Sequence, residues 1–103
     1  MKYDLKQIFE DDPYVLLNTE DFHHKVTANM TLYQLITYRG VPTGYSVFVV
    51  EGVSHTIFKV RNEPGFTSIE DCFSGLKCLC LNEEKAQEVY EIFRHRCKAE
   101  ARF

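Results

Sequence analysis

The sequence predicts an α+β fold in which an antiparallel β-meander of three to five strands is covered by helices, with a long C-terminal amphipathic helix. Two observations predict it. Residues 45–61 form the most apolar and β-branched stretch of the chain, which is typical of paired strands. Near the C-terminus, apolar residues recur at helical spacing and form one stripe: Ala86, Val89, Tyr90, Phe93 and Cys97.

The stretch 45–61 is predicted to be a β-hairpin at the centre of the sheet. Its two strands lie on either side of a two-residue turn at Gly52 and Val53, because glycine readily adopts the positive φ that such a turn requires. This register places Val50 opposite His55. Both faces of the hairpin are apolar near its middle, as expected of interior strands covered on both sides.

The chain before this hairpin contains shorter elements. The pattern predicts, in order, a helix over residues 1–12, a first or edge strand over 14–17, an unassigned polar segment over 18–28, a strand over 31–39 and a loop over 40–44. The loop is too short for a parallel crossover. The strand before it and the two strands of the hairpin therefore form an antiparallel meander.

The chain after the hairpin supplies the predicted cover. A short helix over residues 68–74 is followed by a buried strand over 76–81. Asn82 then caps the last helix, whose first turn carries two glutamates where the helix dipole favours negative charge. We expect these helices to cover one face of the sheet.

Length and composition indicate a single globular domain spanning residues 1–103. The aromatic content of 14% is high for a disordered chain, and the net charge of −3 disfavours a dedicated nucleic-acid binder. The first nine residues contain Lys2, Asp4 and Lys6 with no apolar run behind them, so no secretory signal is expected. No stretch approaches the ~20 apolar residues of a membrane span. We therefore expect a cytoplasmic protein that has no membrane contact.

The four cysteines are interpreted as reduced thiols packed in the core: Cys72, Cys78, Cys80 and Cys97. Without a sign of export, they indicate a reducing compartment. A structural zinc site usually pairs its ligands two to four residues apart, and the closest two cysteines here have a single residue between them. We expect neither a metal nor a cofactor, since motifs for phosphate binding and nucleophilic catalysis are also missing.

Two groups of side chains are candidates for contact with a partner. The aromatic candidates are Tyr33, Tyr38 and Tyr45, and the basic candidates are Arg94, Arg96, Lys98 and Arg102. Tyrosine and arginine are frequent anchors of protein interfaces, although cations at a helix end also compensate its dipole. The first 21 residues carry six acids against two lysines, so the chain is charge-polarised. The two charged ends either pair with each other or orient a partner.

The first function hypothesis is a small protein-binding module or inhibitor that acts by macromolecular contact and not by catalysis. A compact chain without a catalytic motif favours it. A free sheet edge would allow another protein, or a second copy in a homodimer, to add a strand. Small proteins of this kind include accessory proteins of viruses and mobile elements.

Two alternatives stay open. One is a small-ligand or catalytic domain in which His55 works with a nearby thiol, since a nucleophilic cysteine requires a base. The other is nucleic-acid binding through the basic end of the C-terminal helix, whose cations would contact phosphates. A reactive thiol at neutral pH would favour the first alternative, and salt-sensitive retention on nucleic acid would favour the second.

The cysteine spacing generates a prediction about metal content. Protein purified under reducing conditions without added metal should contain no stoichiometric zinc, and a chelator should leave its melting temperature unchanged. Elemental analysis and thermal denaturation check this. About one equivalent of tightly held zinc would contradict it, and Cys78 and Cys80 would then be the first ligands to test.

Overall fold

The structure, a computed structural model, describes residues 5–101 and contains a six-stranded antiparallel sheet with two α-helices. The predicted α+β fold is confirmed. The strands are β1 (Val15–Leu16), β2 (Thr31–Tyr38), β3 (Val41–Val53), β4 (Ile57–Val60), β5 (Thr67–Ser68) and β6 (Leu79–Cys80). Their order across the sheet is β1-β6-β2-β3-β4-β5, so β2, β3 and β4 form the predicted meander. The edge strand β5, which the sequence pattern did not predict, raises the strand number to six.

The helices are α1 (Thr19–Lys25) and α2 (Glu83–Ala101), together with two 3₁₀ helices (Leu5–Phe9 and Glu70–Phe73). The predicted cap of α2 is confirmed, because Asn82 Oδ1 accepts a hydrogen bond from the Lys85 backbone N–H at 2.7 Å. The predicted stripe is also confirmed: Ala86, Val89 and Phe93 are buried, and Tyr90 and Cys97 are half-buried.

Each face of the sheet buries its own hydrophobic cluster. On the face toward α2, called the α2 face, the cluster contains Val15, Leu35, Cys78, Cys80, Ala86, Val89 and Phe93. On the opposite face, called the α1 face, it contains Leu16, Phe22, Val26, Leu32, Val50, Phe58, Ile69, Cys72 and Leu79. The prediction that the helices cover one face is therefore wrong. The polar segment that the pattern left unassigned forms α1, and its Phe22 fills the second face.

The predicted register of the central hairpin is wrong. Val50 pairs with Val60 rather than with His55, and a β-bulge follows between Val50 and Gly52. Gly52 is a strand residue, and its φ does not lie in the left-handed region. The chain turns later, where the Ser54 backbone N–H donates to the Ile57 carbonyl at 2.8 Å. A glycine in a strand fits a bulge as well as a turn, and the packing of the sheet decides between them.

The loop predicted over residues 40–44 is a tighter turn. Arg39 and Gly40 have φ values of 52° and 77°, and Tyr38 pairs with Val41 on either side of them. Positive φ at both central residues is typical of a two-residue hairpin turn whose twist matches that of its strands. Residues 41–44 therefore belong to β3, and the register of β3 on β2 shifts between Ile36 and Thr37.

The remaining predicted elements are shortened. The helix over residues 1–12 is a 3₁₀ helix from Leu5 to Phe9, and residues 1–4 lie outside the described part. The helix over 68–74 is a 3₁₀ helix from Glu70 to Phe73, and the strand over 76–81 is β6 alone. The β1 strand lies at the edge of the sheet, as predicted, and pairs with β6. Asn18 caps α1 by accepting a hydrogen bond from the Asp21 N–H at 2.8 Å.

The stripe of α2 generates a prediction about stability. Phe93 is fully buried, with its ring 5.8 Å from that of Phe9. Phe93→Asp would bury an unpaired carboxylate at a cost of several kcal/mol, comparable to the ~5–15 kcal/mol stability of a small domain. We expect this variant to lose cooperative thermal unfolding, measured by circular dichroism. The control Gln87→Asp, which is exposed on the same helix, should retain it. An unchanged melting curve for Phe93→Asp would contradict the packing.

Candidate functional site

The tip of the β2–β3 hairpin carries three exposed apolar side chains. Ile36 is 44% exposed, Tyr38 is 64% exposed and Val41 is 41% exposed. Tyr38 pairs with Val41 across the hairpin, and Ile36 lies two residues before Tyr38 on the same strand. Paired residues and alternate residues of a strand share one face of a sheet. All three side chains therefore lie on the α1 face of the tip.

The basic end of α2 lies beside the same tip. The Cys97 thiol donates to the Gly40 carbonyl oxygen, with 3.7 Å between Sγ and O, so the last turns of the helix reach the hairpin turn. Arg94, Arg96 and Lys98 flank Cys97 on the helix. This contact is on the α2 face, opposite the three exposed apolar side chains.

Arg39 adds a fourth cation at the end of the hairpin. Its guanidinium carbon lies 5.3 Å from the centre of the Tyr38 ring, within the range of a cation–π contact. We call the combined area the tip surface; its residues are Ile36, Tyr38, Arg39, Val41, Arg94, Arg96 and Lys98. Arg102, the fourth predicted basic candidate, lies outside the described residues.

Tyr33 and Tyr45 lie away from the tip surface, near the start of α2. Their rings contact each other edge to face at 6.2 Å, and the Tyr45 hydroxyl donates to Glu83 Oε1 at 3.3 Å. Desolvation and the negative charge of Glu83 raise the pKa of Tyr45. Beside Tyr45 is an open cleft of about 800 Å³, bordered by Glu83, Glu84 and Gln87. The structure therefore separates these two tyrosines from Tyr38 and places them in acidic surroundings.

Asp12, in the acidic corner of the chain, pairs with the start of α2. Lys85 Nζ lies 2.7 Å from Asp12 Oδ2 and 3.0 Å from Glu88 Oε2. Burial raises the pKa of Asp12, but the hydrogen bond from Lys85 and the further contacts outweigh it and leave the pKa below its ordinary value. The basic end lies at the other end of the helix.

His55 lies in a cleft of about 480 Å³ between α1 and the β3–β4 turn. Its ring stacks on that of His23 at 5.9 Å, and Thr19, Ser68 and Glu70 also line the cleft. Within residues 5–101, His, Cys, Asp and Glu side chains form no group of three or more that could hold a metal ion. The cleft therefore has polar groups and an imidazole pair, but no metal-ligand set.

The buried thiols are poorly suited to work with His55. Burial and the nearby Asp71 carboxylate raise the pKa of Cys72 to about 11, and its thiol donates to the Ser68 carbonyl oxygen at 3.6 Å. A hydrogen bond with Cys78, together with burial, also raises the pKa of Cys80. A thiol is a nucleophile as the thiolate, and raised pKa values keep these groups protonated at neutral pH.

The residues of the tip surface that sequence reasoning missed are Ile36, Arg39 and Val41. Each looks like an ordinary strand or loop residue, and the two glycines and the proline of residues 40–44 predicted a longer loop. The stack of His23 on His55 was also missed, because the predicted hairpin register placed His55 within a strand. In both cases, the missing information was a contact between segments that are distant in the sequence.

Comparison with known proteins identifies no relative, because no protein-family model, curated protein or solved structure matches the chain. Neither helix in the described part combines the length and the apolar composition needed to cross a membrane.

The thiol environments generate a prediction about reactivity. In the native protein at neutral pH, iodoacetamide should modify the half-buried Cys97 first, and Cys72, Cys78 and Cys80 at least about tenfold more slowly. The Cys72 rate should rise as the pH rises toward 11, because the thiolate fraction increases. Peptide mass spectrometry of timed samples measures each rate, with denatured protein as the control. Rapid modification of Cys72 at neutral pH would instead favour catalysis with His55.

Proposed function

We propose that this chain is a small protein-binding module or inhibitor that acts by macromolecular contact, and that the tip surface is where its partner binds. The observation that carries the proposal is that one end of the molecule has three exposed apolar side chains on one sheet face and the basic end of α2 on the other, with Arg39 at the turn. Interfaces concentrate their binding energy in a few aromatic and arginine residues. Tyr38 and Arg39 form such a pair, and Arg94, Arg96 and Lys98 add positive charge around it.

The charge of the tip surface favours an acidic protein as the partner. Complementary charge increases the rate of association and selects among partners, and apolar anchors then slow dissociation. The rest of the molecule is acidic enough to give a net charge of −3. A partner with acidic and apolar groups at its binding site would be attracted to the tip and repelled by the start of α2.

Nucleic-acid binding through the same cations is the competing proposal. It is less well supported, because phosphates would also approach the exposed carboxylates earlier on α2: Glu83, Glu84, Glu88 and Glu91. A phosphate backbone also offers no apolar surface that could pack against the three exposed apolar side chains of the tip surface. Catalysis by His55 with a thiol has weaker support, because the thiols of Cys72 and Cys80 have raised pKa values.

We further propose that the protein works in a reducing, cytoplasmic compartment, where its cysteines stay as thiols. The support is that Cys72, Cys78 and Cys80 are buried and the four cysteines form no disulfide. The size of the chain and its lack of catalytic motifs fit an accessory protein of a virus or mobile element.

Photo-crosslinking tests the proposed surface. Tyr38 is replaced by p-benzoylphenylalanine, and the protein is irradiated in extract of the cells in which it acts. Tyr14 and Phe66 are replaced in the same way as controls, since these aromatic side chains are 50% and 69% exposed elsewhere on the molecule. We expect a specific crosslinked protein from position 38 and none from the controls. Equal crosslinking at all three positions, or crosslinking to nucleic acid, would contradict the proposal.

Affinity measurements with the captured protein complete the test. Tyr38→Ala and Arg94→Glu should each weaken binding by roughly 1–4 kcal/mol, the range found for central interface residues. His55→Gln should leave the affinity unchanged, because His55 lies outside the tip surface. If His55→Gln abolished activity in a folded protein, the catalytic alternative would replace this proposal.

A further inference from the structure

The outer edge of β2 loses its neighbouring strand before the tip is reached. Only Tyr33 and Gln34 pair with β6, and the Leu35 N–H makes one more hydrogen bond across this edge, to the Cys78 carbonyl at 3.1 Å. The chain leading into β6 then turns, closed by a hydrogen bond from the Lys77 N–H to the Ser74 carbonyl at 3.1 Å. In the described part of the chain, no strand pairs with this side of β2 beyond Gln34.

Alternation along β2 determines which backbone groups face this open edge. Tyr38 and Val41 flank a two-residue turn, so the Tyr38 N–H and carbonyl point toward β3. The Leu35 N–H points away from β3, as its bond to β6 shows. Thr37 lies two residues after Leu35 on the same strand. Its N–H and carbonyl therefore also point away from β3, toward the open edge. These are the groups that an added strand requires.

We propose that the partner of this protein contributes an extended segment that adds to the sheet along β2 at Thr37, with apolar and acidic residues in alternation. This inference rests on the proposed function and specifies its chemistry. Residues directly opposite each other on antiparallel strands share a face. The partner residue opposite Thr37 lies on the α2 face, where α2 ends in cations, and is acidic. Its two neighbours lie with Ile36 and Tyr38 on the α1 face and are apolar.

Charge complementarity favours this occupant over a second copy of the chain. Two copies related by a two-fold axis at this edge would bring the two Arg39 residues and the basic ends of the two α2 helices toward each other. Such like charges oppose pairing. An acidic segment from another protein avoids this repulsion.

A designed peptide tests the inference on the full chain. The probe is a capped eight-residue peptide of alternating valine and glutamate, titrated into ¹⁵N-labelled protein and followed by NMR. We expect chemical-shift changes confined to residues 35–41 and the end of α2. Hydrogen exchange of the Thr37 amide should also slow by about tenfold at saturation, because this N–H becomes hydrogen-bonded.

The matched control peptide carries N-methylated glutamates. It keeps every side chain and charge, but it lacks the N–H groups that would pair with Thr37, and it should bind at least about tenfold more weakly. A peptide with lysine in place of glutamate should bind more weakly still. On the protein, Arg94→Glu should weaken binding of the valine–glutamate peptide, and Lys25→Glu, the same charge change on α1, should not.

The outcomes separate this inference from the proposed function. Equal binding of the methylated and unmethylated peptides would overturn strand addition, as would failure of the unmethylated peptide to bind at millimolar concentration. If position 38 still crosslinks a protein, neither result would contradict the proposal that a partner binds the tip surface. A dimer of the free protein with a protected Thr37 amide, detected by sedimentation and exchange, would overturn the choice of occupant. Loss of the position-38 crosslink itself would overturn the proposed function.

Discussion

The packing of α2 on the sheet is the constraint on which the rest of this molecule depends. Val89 and Phe93 are fully buried among side chains of β1, β2 and β6, and the Phe93 ring contacts Phe9 from the first 3₁₀ helix. A helix gains most of its stability in a protein from such contacts. Because the buried stripe is fixed on the sheet, the direction of the helix is fixed as well. Its first turn lies beside Tyr45 and its last turns lie beside Gly40.

The direction of α2 separates the charges of the molecule into two poles. Acidic residues at the helix start and cations near its end each interact favourably with the helix dipole. Lys85 joins the acidic start to Asp12, which adds the N-terminal acidic corner to the same pole. The end of the helix brings its cations to the β2–β3 turn. The same cations therefore stabilise the helix and make one end of the protein basic.

The tip of the β2–β3 hairpin has features that do not help the isolated protein. Arg39 has a positive φ, which a residue with a Cβ adopts at a cost of roughly 1 kcal/mol or more. Ile36, Tyr38 and Val41 leave apolar surface in water at one place. A partner that covers this surface would offset both costs.

The cysteines, in contrast, contribute to the stability of the isolated protein. Cys72, Cys78 and Cys80 are buried in the two hydrophobic clusters, and their burial stabilises the fold.

Local pattern predicted several elements correctly. The α2 stripe follows from residue spacing, and its Asn82 cap, the strand before the central hairpin and the edge strand β1 follow from residue type and apolar composition. The same reasoning failed at Gly52, because a bulge and a turn accept the same residue. It also left α1 unassigned, because Phe22 is the one buried residue of that seven-residue helix and a single residue forms no stripe.

The sequence by itself determined the fold class, the long C-terminal helix and the meander, because these depend on the local pattern of each element and on the short connections between them. The tertiary structure decided the register of β3 and β4, the use of both sheet faces and the location of the candidate site. The tip surface joins the β2–β3 turn to the end of α2 through a contact between residues 57 positions apart, Gly40 and Cys97. Such a contact leaves no local pattern in the sequence, since it exists only when the buried stripe has docked on the sheet.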